Sequence, residues 1–294
     1  MEYHLFGRPI QIKALGCSIN GSQATPIPPS INLFVKVTNG CNAHCLFCSN
    51  AGYQSHQTFN INKLFDCIDE IFRQKIYLNR LNITGGEPSL VSGLVKNIIS
   101  RLESHNRYNC IHLHLNTNGF LPESKALMRF PRWDSISISL HHYEGEKLAK
   151  IYDCAMPDAP LSFEGVDMDK VNLSCNLMKG YIDSPEEVSK MLDFAIDLGV
   201  YRIGFVGLMP INEYCRTHFI DLKDVGIDTI PHVYFTKSKN RGTDCKCSNY
   251  LYNKDAKILE IYFRNYMNPQ YCESSLVFDG EYLRQGFHDN NIII

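Results

Sequence analysis

A large net charge is missing from this chain: 29 Lys and Arg stand against 31 Asp and Glu, a formal charge of −2. Near-neutrality removes any bulk attraction to nucleic acid or anionic lipid, while leaving room for a local patch. Also absent is any apolar run approaching the roughly 20 residues that a bilayer-crossing helix needs. Residues 1–10 hold no charged start followed by an apolar core, so no secretory signal is read there. No internal repeat and no low-complexity stretch interrupts the sequence. The expectation is a cytoplasmic protein with no membrane and no nucleic-acid partner.

Cysteine, by contrast, is plentiful, with 12 among 294 residues. Without export, clustered thiols point to metal binding or chemistry more than to disulfides. Cys41, Cys45 and Cys48 form one group, and Cys245, Cys247 and Cys272 a second. Cys17, Cys67, Cys110, Cys154, Cys175 and Cys215 are scattered, and most read as buried structural thiols. With 44% hydrophobic and 20% charged residues, the chain can bury a sizeable core.

Residues 1–30 read as a lead-in that ends in a Pro-rich stretch. Strands then alternate with helices. Expected strands cover 31–38, 80–84, 110–116, 135–140, 171–178 and 201–209, with helices near 61–75, 90–104 and 185–198. The last of these opens on Ser184 and Pro185, with Glu187 completing a capping box, and closes on Gly199. Four strands alternate strictly: Ile111, Leu113 and Leu115, for example, lie against His112, His114 and Asn116. Helices cover a greasy face, so the polar face must be open or curled inward. A large parallel sheet left bare on one side is uncommon. The favoured reading is an α/β fold, a partial (β/α)6 barrel over 31–210 with a polar lumen, with an ordinary one-sided sheet as the alternative. Short strands near 232–236, 249–253, 258–263 and 275–278, the last followed by an Asp279-Gly280 turn, suggest a small β-rich appendage within a 211–294 extension.

The chemistry concentrates in Cys41-Asn-Ala-His-Cys45-Leu-Phe-Cys48, directly after the first of these strands. Three thiolates on one loop can hold one side of a four-iron cluster and leave one iron open, since full ligation takes four. A zinc site completed by His44 or His56 is the alternative, though zinc loops more often pair a C-x2-4-C with a distant second pair.

The spacing C-x3-C-x-Phe47-C resembles the signature of the radical S-adenosylmethionine (SAM) superfamily. Thr84-Gly85-Gly86-Glu87-Pro88, ending the second strand, resembles its GGE element. Paired glycines permit close backbone approach to a ligand, and a carboxylate suits a cationic amine. The resemblance implies that Gly85, Gly86 and Glu87 hold the amino group of SAM. Asn116-Thr117-Asn118-Gly119 is similar to the family's TNG element, and Ser139 stands where a polar residue meets the ribose. Ser174 and Asn176 resemble the fifth-strand region of the GTP cyclases of molybdenum-cofactor biosynthesis, and Met209 would then lie near adenine.

The second cysteine group is similar to a shortened auxiliary-cluster region of the twitch or SPASM type, its fourth ligand Cys17, Cys215 or none. Zinc or plain structural thiols remain alternatives there. The implied activity is reductive cleavage of SAM to a 5′-deoxyadenosyl radical, which removes a substrate hydrogen. Its implied cofactors are SAM, a [4Fe-4S] cluster and an auxiliary Fe-S cluster. Oxidative modification or crosslinking of a peptide is the first expectation for substrate, with rearrangement or cyclisation of a small molecule second. A flavodoxin- or ferredoxin-type electron donor and a peptide-delivery protein are the expected partners. Lys36, His112, His114 and His141 are candidate acid–base groups, with His141 and Lys36 placed in the catalytic role. A non-enzymatic metal-binding module is the reading from a different class.

Overall fold

The computed structural model describes residues 2–12, 29–48, 58–154, 163–238, 248–264, 275–286 and 291–294. Cys17, His56, Cys245, Cys247 and Cys272 lie outside these residues.

Six βα units build the centre. Strands β3 (Ser30–Lys36), β4 (Tyr77–Thr84), β5 (His112–Thr117), β6 (Ser135–Ser139), β7 (Val171–Leu177) and β8 (Arg202–Gly207) lie side by side in chain order, every pair parallel. Helices α1 (Ile61–Arg73), α2 (Ser92–Glu103), α3 (Pro122–Met128), α4 (Gly145–Tyr152) and α5 (Pro185–Asp197) fill the connections. The alternation read from the sequence is the physical reason for the layering. Leu33, Val35, Leu81, Ile83, Leu113, Leu115, Ile136, Ile138, Leu173 and Ile203 are at most 1% exposed. They meet the apolar stripes of the helices, such as Leu64, Phe65, Ile68 and Ile71 of α1. The opposite faces carry Asn, His, Ser and Arg. Helix α5 starts as expected, with Ser184 Oγ accepting from Glu187 N at 3.3 Å. The Glu187 carboxylate, however, accepts from Tyr143 and Lys190, so that side chain serves the tertiary structure.

Residues from 232 onward do not form a sheet of their own. Strands β9 (Val233–Ser238), β10 (Ser248–Lys254) and β11 (Lys257–Arg264) make an antiparallel meander whose last member joins β8 in parallel. Strand β12 (Ser275–Phe278) instead joins β3 at the other edge, also in parallel, and β13 (Leu283–Gln285) folds back on it. The Asp279 carboxylate ties that hairpin, accepting from Glu281 N, Tyr282 N and Arg284 Nε. One sheet of 11 strands results, ordered β13-β12-β3-β4-β5-β6-β7-β8-β11-β10-β9.

That order constrains the sheet's shape. Strands β11 and β12 are consecutive in the chain yet lie on opposite sides of the six central strands. Flat, the seven intervals would span about 34 Å, and the return to the start of β12 adds about 26 Å along the strands. The eleven steps from Arg264 to Ser275 reach roughly 40 Å fully extended. A flat sheet would need a taut connection, whereas curling towards a half barrel relaxes it. The sheet is not closed.

The lead-in also has structure that the sequence reading passed over. Strands β1 (Glu2–Leu5) and β2 (Arg8–Gln11) form a two-stranded hairpin turned at Phe6 and Gly7, both with positive φ. Leu5 and Ile10 enter the main core, and Phe6 N donates to Glu70 on α1. Among the described residues no helix is long and apolar enough to cross a membrane.

Candidate active site

The C-terminal ends of β3 to β8 collect nearly all the residues singled out in the sequence. Parallel α/β proteins place ligands at this end.

The cysteine loop follows β3. Cys41 is exposed, and Cys45 and Cys48 are half-buried. Partial burial pushes the Cys41 and Cys45 thiols up, and each would-be thiolate is raised further by its neighbours in the trio. Three mutually repelling thiolates need a cation among them. Zinc bound at about 2.3 Å to each sulfur would bring the sulfurs within about 3.8 Å of one another. Among the described residues, the trio whose ligand atoms all lie within 4.8 Å is His142, Glu144 and Glu187, and not these cysteines. An all-thiolate donor set of three fits a four-iron cluster with one iron left open, each sulfur on its own iron.

The histidine trio is itself a poor ion site. Glu144 N donates to His142 Nδ1 at 2.9 Å, so the neutral ring carries its proton on Nε2. That proton faces Glu187 Oε2 at 3.6 Å, leaving no lone pair on Nε2 for a metal.

The glycine pair has a sharper explanation than ligand access. Gly86 N donates to Thr38 O at 2.7 Å and Glu87 N to Gly40 O at 2.8 Å, stitching the loop after β4 to the base of the cysteine loop. A Cβ on Gly85, whose φ is +141°, would lie 2.3 Å from Thr38 O; one on Gly86 would lie 2.0 Å from Gly40 O. Only hydrogen fits at either place. The cysteine loop and the GGE loop are therefore in backbone contact, and any cofactor shared between them meets a single rigid surface.

Glu87 is 1% exposed, and its carboxylate is occupied. Oε1 accepts from Ser89 N (3.1 Å), Thr117 Oγ1 (2.8 Å) and Ser124 Oγ (3.3 Å), and Oε2 from Asn118 N (2.9 Å). The side chain thus binds β5 and α3 to the GGE loop. Thr117, Ser89 and Ser124 were not singled out from sequence, because nothing local marks a hydroxyl as the partner of a carboxylate some 30 residues away.

Asn118 continues the chain of contacts. Its Oδ1 accepts from Phe120 N at 3.1 Å, and its Nδ2 donates to Asn42 Oδ1 at 2.8 Å, inside the cysteine loop. His141 follows β6 and is 4% exposed. Asn176 N donates to its Nδ1 at 3.0 Å, and the Phe47 ring meets it edge-on with centroids 4.8 Å apart. Burial alone pushes the His141 imidazole down to about 3. Tyr152 lies against His141, donates to Ser139 O at 2.6 Å, and is close enough for the Cys45 and Cys41 thiols to raise it beyond what burial does. Ser139, Ser174 and Asn176 are half-buried on the polar face, Met209 follows β8, and Lys36 ends β3 in register with Thr84. His112 Nε2 and His114 Nδ1 share the Ser135 hydroxyl at 2.7 and 2.6 Å, a structural arrangement lower in the lumen.

Helix α6 (Glu213–Thr217) closes over the far side of the cysteine loop. Asn212, its N-cap, donates to Leu46 O at 2.7 Å, and Cys215 is buried within electrostatic reach of Cys48. Among its expected neighbours, Cys215 is thus found with the first cysteine group.

Residues 35–159 match the family model described as the radical SAM superfamily. Among curated proteins, the chain is 26% identical over 186 residues to a probable GTP 3′,8-cyclase of Saccharolobus solfataricus, covering 62% of this chain and 58% of that one. A probable GTP 3′,8-cyclase of Thermococcus kodakarensis is likewise 26% identical over 209 residues, covering 67% of this chain and 64% of its own length. The chain therefore spans less than two thirds of these relatives. Among solved structures, a radical SAM methyltransferase from Sphaerobacter thermophilus superposes with a TM-score of 0.53 at 16% identity, over 68% of this chain and 62% of the other, a likeness of fold. The matched segment carries both the cysteine loop and the GGE loop, and the family implies a [4Fe-4S] cluster and SAM. With the parallel sheet, these findings identify residues 35–159 as a radical SAM domain.

Proposed function

We propose that the protein cleaves SAM reductively and uses the resulting radical to remove a hydrogen from a small polar substrate held in the lumen. The observation that carries this reading is the backbone stitching of the cysteine loop to the GGE loop, which fixes the thiolate trio beside that loop at the C-terminal end of the sheet. Cys41, Cys45 and Cys48 would hold the cluster. A cluster held there and reduced by an external one-electron donor would supply the electron that splits the sulfonium C–S bond of SAM, giving methionine and a 5′-deoxyadenosyl radical to take the substrate hydrogen. The chain's own residues orient and enclose. Gly85 and Gly86 bring the two loops together, while Glu87 locks them to β5. Ser139, Ser174, Asn176 and Met209 face the place where the nucleoside of SAM would lie. His141 stays neutral at working pH, with Nδ1 accepting from Asn176 N and Nε2–H left as a fixed donor, which suits positioning more than proton shuttling. Lys36 is the cation at the mouth best placed for acid–base work.

Peptide modification, the first expectation from sequence, rests on the auxiliary cysteines, and these lie outside the described residues. A small-molecule substrate is favoured by the polar strand faces and by relatives named as GTP 3′,8-cyclases. An auxiliary cluster on Cys245, Cys247 and Cys272 remains part of the proposal. In its support, Ser238 and Ser248, which flank the segment holding Cys245 and Cys247, end and begin strands at the same end of the sheet as the cysteine loop, whereas Ser275, three residues after Cys272, begins β12 at the opposite end. The deciding experiment is anaerobic reconstitution with iron and sulfide, then iron counting and a dithionite-driven assay for 5′-deoxyadenosine. Wild type should form 5′-deoxyadenosine, and a Cys41/Cys45/Cys48→Ala variant should lose about four irons per chain and the product together. Zinc in place of iron with no SAM cleavage would overturn the proposal.

A further inference from the structure

The net charge of −2 conceals an uneven distribution. On the polar face of the described sheet, β3 to β8 and β11 carry four cations, Lys36, Arg80, Arg202 and Arg264, against one carboxylate, Glu260. That carboxylate is already taken: Arg202 donates to it from Nε at 2.8 Å and lies 2.7 Å away through Nη2. Arg264 stacks over the Tyr262 ring, its Cζ 4.9 Å from the centroid, and its Nη1 finds neutral oxygens alone, those of Ser248, Asn249 and Phe263. Arg80 has less still. Its Nε is buried with no hydrogen-bond partner, and among the described residues Arg80 makes no ion pair.

The three arginines converge. Register places Arg202 opposite Glu260 and Gly204 opposite Tyr262. The Tyr262 ring lies so tightly over Gly204 that a Cβ there would be 2.1 Å from it. Arg80, Arg202 and Arg264 are all within electrostatic reach of the Tyr262 hydroxyl. The nearby carboxylates are already paired, Glu260 with Arg202 and Asp134, which acts on His112, with Arg132. Burial first, and then the Arg80 charge, push His112 and His114 down, the latter to about 3, so both rings are neutral. A buried guanidinium nitrogen with no acceptor is costly unless an anion comes to it.

We infer that Arg80, with Arg264 as its second arm, forms an anion subsite in the lumen that receives a phosphate or carboxylate group of the substrate. This rests on the proposed radical chemistry for its purpose, though not for its test. Arg80 precedes Gly85 by five residues on β4, about 16 Å along the strand.

The test is isothermal titration of the reconstituted holoenzyme with inorganic pyrophosphate and, separately, with glutarate, at constant ionic strength set with KCl. Wild type should bind one of the two saturably. The pyrophosphate arm identifies a phosphate-bearing substrate and the glutarate arm a carboxylate-bearing one. Arg80→Gln should weaken binding roughly tenfold or more, the worth of a charged hydrogen bond, and Arg264→Gln should weaken it as well. Binding of neither anion by wild type would overturn the subsite, whatever the variants do. So would unchanged affinity in both variants. Because no SAM need be cleaved, failure of this site and failure of the radical SAM reading are read from different instruments.

Discussion

Glu87→Gln isolates the question of what the GGE carboxylate does. The side chain is 1% exposed and accepts from four donors: Ser89 N, Thr117 Oγ1 and Ser124 Oγ on one oxygen, Asn118 N on the other. Glutamine has the same shape but offers an NH2 in place of one oxygen. Its better orientation keeps the three-donor side and sets N–H against N–H at Asn118. The loss is one charge-assisted hydrogen bond, with a buried donor left unpaired, about 3 kcal/mol in all. For a chain of this size that lowers the melting temperature by roughly 6 °C. Thermal and urea unfolding of the cluster-free chain measure it without any contribution from bound iron or SAM. Thr117→Val, which removes one donor and keeps the carboxylate, should cost about 1 kcal/mol on the same scale. If Glu87→Gln instead left stability within about 0.5 kcal/mol of wild type and raised KM for SAM, the carboxylate would be a ligand group and the tie described here would be wrong.

Gly86→Ala should cut iron incorporation sharply, because its Cβ would sit 2.0 Å from Gly40 O; iron per chain after reconstitution reads this directly. Asn118→Ala removes the bond to Asn42 and should speed iron loss to a chelator, while an unchanged loss rate would mean that Asn42 holds itself. His114 and His141 have folded-state values of about 3, well below the usual histidine range. Their contribution is present above about pH 6.5 and is lost as pH falls towards 3, because the unfolded chain binds those protons first. Stability should drop between pH 7 and pH 5 by on the order of 2 kcal/mol per histidine, and His141→Gln should flatten that limb in a pH-resolved melt.

The centre of the fold was legible because its cause is local. Alternation of Ile, Leu and Val with Asn, Ser and His sets which face of each strand is covered, and the observed strands fall within a few residues of those read from sequence. Asp279-Gly280 announced its hairpin in the same way. The cysteine loop and the glycine pair were visible as motifs, yet the partner of the glycines was not. Thr38 and Gly40 meet Gly85 and Gly86 through backbone atoms, which leave no mark on side-chain identity. Strand partners far apart in sequence were equally silent. Nothing in residues 257–264 or 275–278 says that one joins β8 and the other β3, because both have similar alternating patterns. The β1–β2 hairpin escaped notice since Phe6-Gly7 is a weak turn signal, although buried Leu5 and Ile10 flank it.

The pairing of β12 with β3 also sets a timetable. Strand β3 carries the cysteine loop and is made early, yet one of its two neighbours is not synthesised until the ribosome has passed residue 278. Until then β3 presents an unpaired edge, a liability in any nascent sheet, and closing it requires one of the most non-local contacts in the chain. The cysteines are therefore exposed on an unfinished strand through most of translation. Loading them with iron before the half barrel is complete would set metal on an unsupported loop, so maturation of this protein is expected to follow folding and not accompany it.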